Sequence, residues 1–192
     1  MQQKIILASQ SPRRKQLLEW AEVPFEIIVQ PTDESFPEIM PVEEVAVYIA
    51  KHKAEAVKAS LNRQQRQLPI LAADTIVVLN KRIIGKPKDR EDAVEILQSL
   101  SGNHHKVITG VVISYKDKLI CFSDITDVEF HDLSKAQIEF YVDKYQPYDK
   151  AGAYAIQEWI GVVGIRSIKG DFYNVMGLPV SRVVQELAKL TG

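Results

Sequence analysis

An α/β fold with a mixed sheet is the class the sequence predicts, on three observations. Strand-like and helix-like segments alternate from Lys4 to Ser60. The stretch "PILAADTIVVLN" is rich in β-branched residues and apolar along nearly its whole length, the composition of a strand buried on both faces. Beyond Lys106, short β-rich segments follow one another with little but turns between them, which implies antiparallel returns.

Each element follows from a local signal. Lys4 to Ala8 is a short apolar strand. Ser11 is a good N-cap and Pro12 suits the first position of a helix running to Trp20. Phe25 to Val29 reads as a second strand, "QPTDESFPEIMP" as a Pro-rich loop, and Pro41 as the opening of a long helix to Ser60. "LNRQQRQ" is a polar surface connection, and "NKR" turns the buried strand back through Arg82 to Ile84. Asp89 caps the helix "REDAVEILQSL", which Gly102 closes. "KVITGVVISY", Leu119 to Phe122 and Thr126 to Phe130 are strands in succession. Ser134 with Gln137 forms a capping box for a helix reaching Tyr145. "WIGVVGIRSIKGDFYNV" predicts two more strands around a Lys169–Gly170 turn, and "LPVSRVVQELAKL" an amphipathic final helix.

Composition narrows the function. The 192 residues are 46% hydrophobic and 26% charged, ordinary for a globular protein. A formal net charge of -1 supplies no bulk field for nucleic acid. Cys121 is the only cysteine, which excludes a disulfide framework and a cysteine-rich zinc site. No apolar run approaches ~18 residues and the first residues lack a signal-peptide pattern, so a cytoplasmic protein without membrane attachment is expected.

Several residues break the structural pattern. Arg13 and Arg14 sit in a first helical turn, where the macrodipole disfavours cations by a few tenths of a kcal/mol each. A polyanionic ligand would reconcile them, because helix N–H groups, guanidinium groups and the hydroxyls of Ser9 and Ser11 would act on it together. The alternative is that both arginines face water or pair with acidic side chains. Lys53 recurs on an apolar stripe with Val45, Ile49 and Val57, so it either snorkels at the core edge or faces a cleft. Asp74 is a carboxylate inside the apolar strand and needs a metal, a cation or hydrogen bonds. A salt bridge to a lysine, or a strand end open to solvent, would also satisfy it. Glu34 becomes significant if the fold brings it beside Asp74, where two carboxylates suit a hard cation such as Mg²⁺. Lys86, in "GKPKD", lies in a rigid connection suited to a phosphate contact. Tyr154 and Gln157 could read a planar base by stacking and by amide hydrogen bonds. In "HHK", adjacent side chains point opposite ways on a strand, which argues against a histidine metal site.

Together "LASQSPRRKQLL", "AADTIVVLN", "GKPKD", "LSGNHHKVITGV", "DKAGAYAIQ" and "VMGLPV" resemble the Maf family, nucleotide pyrophosphatases once named for an effect on septum formation. The matches run in order from Leu7 to Val180. The resemblance implies a single domain over residues 1–192. It also implies an elongated mixed sheet flanked by helices, with two lobes and a central cleft, similar to the inosine-triphosphate pyrophosphatases, and often a homodimer. The implied reaction is hydrolysis of a nucleoside triphosphate between its α- and β-phosphates, giving the monophosphate and pyrophosphate, with Mg²⁺ or Mn²⁺. The implied roles are phosphate contacts for Ser9, Arg14, Lys53 and Lys86, a general base in Asp74, and a metal site at Glu34 and Asp74. Arg13, Thr75 and Gln157 match members acting on dTTP and UTP, whereas the 7-methyl-GTP type carries an aromatic residue, a glutamine and a glutamate there. Two departures stand out: Ala72 opens "AAD" where the family more often has Gly-Ala-Asp, and Glu158–Trp159 stand where many members have glycine after the glutamine. Two rival readings stay open at this stage: a non-catalytic nucleotide-binding regulator of cell division, and a purine pyrophosphatase of the inosine-triphosphate type.

Overall fold

A computed structural model of the chain describes residues 3–191. These form a seven-stranded mixed sheet with helices: β1 (Ile5–Leu7), α1 (Pro12–Trp20), β2 (Phe25–Ile27), α2 (Val42–Ser60), β3 (Ile70–Leu79), β4 (Arg82–Ile84), α3 (Arg90–Leu100), β5 (His104–Tyr115), β6 (Lys118–Phe130), α4 (Lys135–Tyr145), α5 (Trp159–Gly164), β7 (Ile165–Lys169), α6 (Phe172–Met176) and α7 (Val180–Thr191). The strand order is β2-β1-β3-β5-β6-β7, with β4 paired to β3. β1 runs parallel to β2 and to β3, while the β3–β4 and β6–β7 pairs are antiparallel. The predicted mixed sheet is therefore observed. Among the described residues, no helix is long and apolar enough to cross a membrane.

The chain divides into two compact units. The first comprises residues up to Asp74, Thr109–Asp124 and the chain from Gly177 onward. Its core places Ala50, Ala54 and Val57 of α2 against Ile6, Ile70, Ala72 and Val112 of β1, β3 and β5. The four-residue recurrence on α2 holds: Val45, Ile49 and Val57 are buried. Helix and sheet meet closely at Gly110, where an added Cβ would stand 2.2 Å from the backbone of Ala46 and Val47. Only glycine permits that approach.

The second unit comprises Thr75–Ile108 and Ile125–Met176. Here α3 packs against α4, with Ala93, Leu97, Leu100, Ile138, Tyr141 and Val142 buried. Of the three N-caps expected from the sequence, those at Asp89 and Ser134 are present. Asp89 accepts from the Asp92 N–H at 2.9 Å, and Ser134 and Gln137 form the reciprocal box.

Three expectations need correction. Leu119 to Phe122 and Thr126 to Phe130 belong to one thirteen-residue strand, β6. Phe122, Thr126, Val128 and Phe130 keep one parity inward across the polar Ser123 and Asp124, and Asp124 on that parity pairs with Arg182. Of the two strands expected around the Lys169–Gly170 turn, the first is present as β7, but Trp159–Gly164 ahead of it is a helix. Its first turn sits on the Ile156 carbonyl so tightly that a Cβ at Gly161 would lie 1.7 Å from that oxygen. Phe172–Met176 is also helical. Asp171 accepts from the Tyr173 N–H at 2.8 Å, and fully buried Asn174 donates to the Val107 carbonyl and to Thr126 Oγ1, which settles the segment as a turn of helix.

Candidate functional site

The end of β1 leads through buried Ala8 and Ser9 to α1. Ser11 stands at the N-cap position, but its side chain makes no capping bond; its N–H donates to Ser9 Oγ at 3.2 Å. Arg14 turns inward, with only 8% of its surface exposed. Its Nε–H donates to the Gly177 carbonyl at 2.8 Å and its Nη1–H to Ser9 Oγ at 3.0 Å. Burial holds the guanidinium pKa below its ordinary value; Asp74 and Glu34 act to raise it and Arg13 to lower it. The group nevertheless stays charged, as guanidinium does at any physiological pH. These two bonds of Arg14 go to a carbonyl and a hydroxyl. Arg13, beside it, is half-buried.

The second constellation unites three of the singled-out residues. Lys53 Nζ lies 2.6 Å from Glu34 Oε1 and 2.7 Å from Asp74 Oδ1. The Asp74 and Lys53 side chains are 14% and 17% exposed, while Glu34 is half open to solvent. Two hard oxygen donors, 40 residues apart in sequence (74 − 34), thus converge on one cation. That donor set suits a divalent cation such as Mg²⁺, which takes one or two carboxylates and completes its shell with water and phosphate oxygens. Among the described residues there is no group of three or more His, Cys, Asp or Glu gathered for a metal. A cation here would need ligands from the substrate and solvent as well.

The other candidates fall in the second unit. Thr75 follows Asp74 directly on β3 and is half-buried. Lys86 is exposed on a connection whose backbone is tied on both sides. The Gly85 carbonyl accepts from the Gly152 N–H at 3.0 Å, and the Lys88 N–H donates to Asp92 at 2.9 Å. Gln157 is exposed in the turn Ala155–Glu158. Tyr154, however, is no base platform. It is 5% exposed, packs edge-on against Phe130 and His105, and shares a 2.7 Å hydrogen bond between its hydroxyl and His105 Nε2. Burial lowers the His105 pKa to about 4 and raises that of Tyr154. His104, next to it on β5, is exposed, as strand alternation requires.

Two participants were not singled out in the sequence. Gly177, within "VMGLPV", adopts a φ of 118° and offers its carbonyl to Arg14. Lys150, within "DKAGAYAIQ", is 8% exposed, with Nζ at 2.7 Å from Asp149 and 3.7 Å from Glu158. Glu158 in turn accepts from the Tyr141 hydroxyl. The only available signal was the unusual Glu158 itself, since a buried lysine is not marked by local spacing.

Residues 4–190 match the pattern of a known family, described as Maf-like protein. A dTTP/UTP pyrophosphatase of Cytophaga hutchinsonii is 50% identical over 186 residues, covering 97% of this chain and 84% of that protein. One from Bacteroides thetaiotaomicron is 48% identical over 188 residues, covering 97% and 96%. A solved structure of the Staphylococcus aureus Ham1 protein is similar at 20% identity and a TM-score of 0.49, over 95% of this chain and 99% of that one.

Proposed function

The chain belongs to the Maf-like protein family, and on that premise we propose that it is a nucleoside triphosphate pyrophosphatase hydrolysing dTTP and UTP to the monophosphate and pyrophosphate. The observation that carries this reading is identity of 45–50% with dTTP/UTP pyrophosphatases over 96–97% of this chain. The inward Arg14 supports it as fixed positive charge for a polyanionic substrate, and the carboxylates of Glu34 and Asp74 support it as oxygen donors for a divalent cation that would offset phosphate charge.

Ser9, Arg14, Lys53 and Lys86 bind the triphosphate, and Arg13, Thr75 and Gln157 contact the base. Asp74 accepts the proton of the attacking water. As the new oxygen–phosphorus bond forms, the α,β-anhydride bond breaks in line with it, and pyrophosphate leaves. Glu34 and Asp74 hold Mg²⁺ or Mn²⁺, which neutralises phosphate charge when bound. Lys53 balances the same two carboxylates and orients that of Asp74. The family resemblance further supports a cytoplasmic enzyme acting as one domain over residues 1–192 and assembling as a homodimer.

The test is a panel of canonical and modified triphosphates, with pyrophosphate and free phosphate measured separately. dTTP and UTP should release pyrophosphate well above every purine substrate. A profile led by inosine or guanosine triphosphates, or stepwise release of free phosphate, would overturn the proposal.

A further inference from the structure

We infer that Tyr141, Glu158 and Lys150 form a positioning device for Gln157, an inference that rests on the base-contacting role proposed for that glutamine. The four residues Ala155–Glu158 make a tight turn, closed by the Glu158 N–H donating to the Ala155 carbonyl at 3.1 Å. Tyr141, fully buried on α4, clasps both ends of it. Its hydroxyl accepts from the Ala155 N–H at 3.2 Å and donates to Glu158 Oε2. Lys150 Nζ stands 3.7 Å from the other carboxylate oxygen and is itself held by Asp149 at 2.7 Å. From the far side, α5 begins directly on the turn: the Gly161 N–H donates to the Glu158 carbonyl at 2.9 Å and the Gly161 Cα faces the Ile156 oxygen.

Gln157 is the one exposed residue in this otherwise enclosed turn. An ammonium and a carboxylate taken largely out of water are a weak source of stability, and well-packed apolar residues of similar volume often do as well. What such a network does supply is a fixed geometry, because the two Tyr141 hydrogen bonds are directional and the Lys150 ammonium holds the Glu158 carboxylate toward them by charge. Here the fixed element is the peptide on either side of Gln157, so the carboxamide projects from an immobile base. An amide must present donor and acceptor to the correct edges of a pyrimidine, and a turn free to rock would blur that distinction. Glu158 is therefore a second determinant of base selection, acting through its neighbour.

Tyr141→Phe removes the hydroxyl and keeps the ring, and Glu158→Gln keeps an acceptor for it. The expected results are a KM for dTTP raised at least ~5-fold in Tyr141→Phe with kcat nearly unchanged, faster hydrogen exchange at the Ala155 and Glu158 amides, and a smaller KM effect in Glu158→Gln. In a Gln157→Ala background, Tyr141→Phe should add nothing further to KM. Additive effects in that cycle, or an unchanged KM and unchanged exchange in a folded Tyr141→Phe protein, would overturn the positioning role alone. Failure of the unaltered protein to hydrolyse dTTP would instead overturn the functional reading, and the positioning role with it.

Discussion

Lys53 Nζ lies 2.7 Å from Asp74 Oδ1 while the same ammonium holds Glu34 at 2.6 Å, so one cation answers two acids that the chain separates widely. Judged from its apolar stripe, methionine at position 53 would be neutral or stabilising. The ion pairs reverse that sign. Lys53→Met leaves the largely buried Asp74 carboxylate without its cation. It should lower the unfolding free energy by about 1–3 kcal/mol, below the fully buried case because water reaches part of the group. Triphosphate binding should weaken in parallel. Denaturant titration with and without substrate checks both, and an unchanged midpoint would show that Asp74 is satisfied by other groups.

Asp74→Asn keeps the shape of the side chain and an acceptor for Lys53 but cannot take a proton from water. Turnover should fall at least ~100-fold, the scale of a lost general base, with the fold retained. Steady-state pyrophosphate release beside a thermal melt separates the two effects. Near-normal turnover in a folded variant would remove Asp74 from the proton transfer.

His105 makes stability depend on pH. Its imidazole is 2% exposed, and burial, with a smaller contribution from His104, brings its pKa down to about 4. An unfolded histidine titrates near ~6.5. Between those values the unfolded chain binds a proton that the folded chain refuses, so stability is full above the upper value and declines as pH falls toward the lower one. The shift corresponds to about 3 kcal/mol at most. Urea midpoints recorded through this window should decline steadily, and a flat profile would mean that the folded protein accommodates the charged ring.

Base selection should follow the residue at position 157. Its amide can both donate and accept, whereas glutamate only accepts unless protonated. Gln157→Glu should therefore cut kcat/KM for dTTP by at least ~10-fold, because a site built to donate to a carbonyl loses that bond outright. Equal activity of the two proteins on dTTP would dissociate Gln157 from the base.

What the sequence made legible was local. The Asp89 cap, the Ser134–Gln137 box and the Val45–Ile49–Val57 stripe each depend on side chains within a turn or two of one another, and all are present. The misplaced charges at Arg14, Lys53 and Asp74 could also be recognised, because a polar group in an apolar period is visible without knowing its partner. Their partners were not visible. The Gly177 carbonyl meets Arg14 across 163 residues, and only the folded chain brings Glu34 to Lys53. The helices Trp159–Gly164 and Phe172–Met176 are hidden in the sequence for a related reason. Apolar runs as short as "WIGVVG" and "FYNVM" fit either period; the close seat of Gly161 on the Ile156 carbonyl decides the first and the long-range bonds of Asn174 the second.

The contact at Gly110 reaches further than packing. Ala46 and Lys53 are seven residues apart on α2, two turns along nearly the same face, so the height at which the helix rests on the sheet also sets the height of the ammonium. A single methyl group at Gly110 would have to lift the helix or bend the strand, and either movement would disturb the contacts of Lys53 with Glu34 and Asp74. Gly110→Ala would then surface in a random screen as a loss-of-activity allele at a residue with no side chain to offer a substrate. Restoration would come from changes that return α2 to the sheet, and not from any added charge.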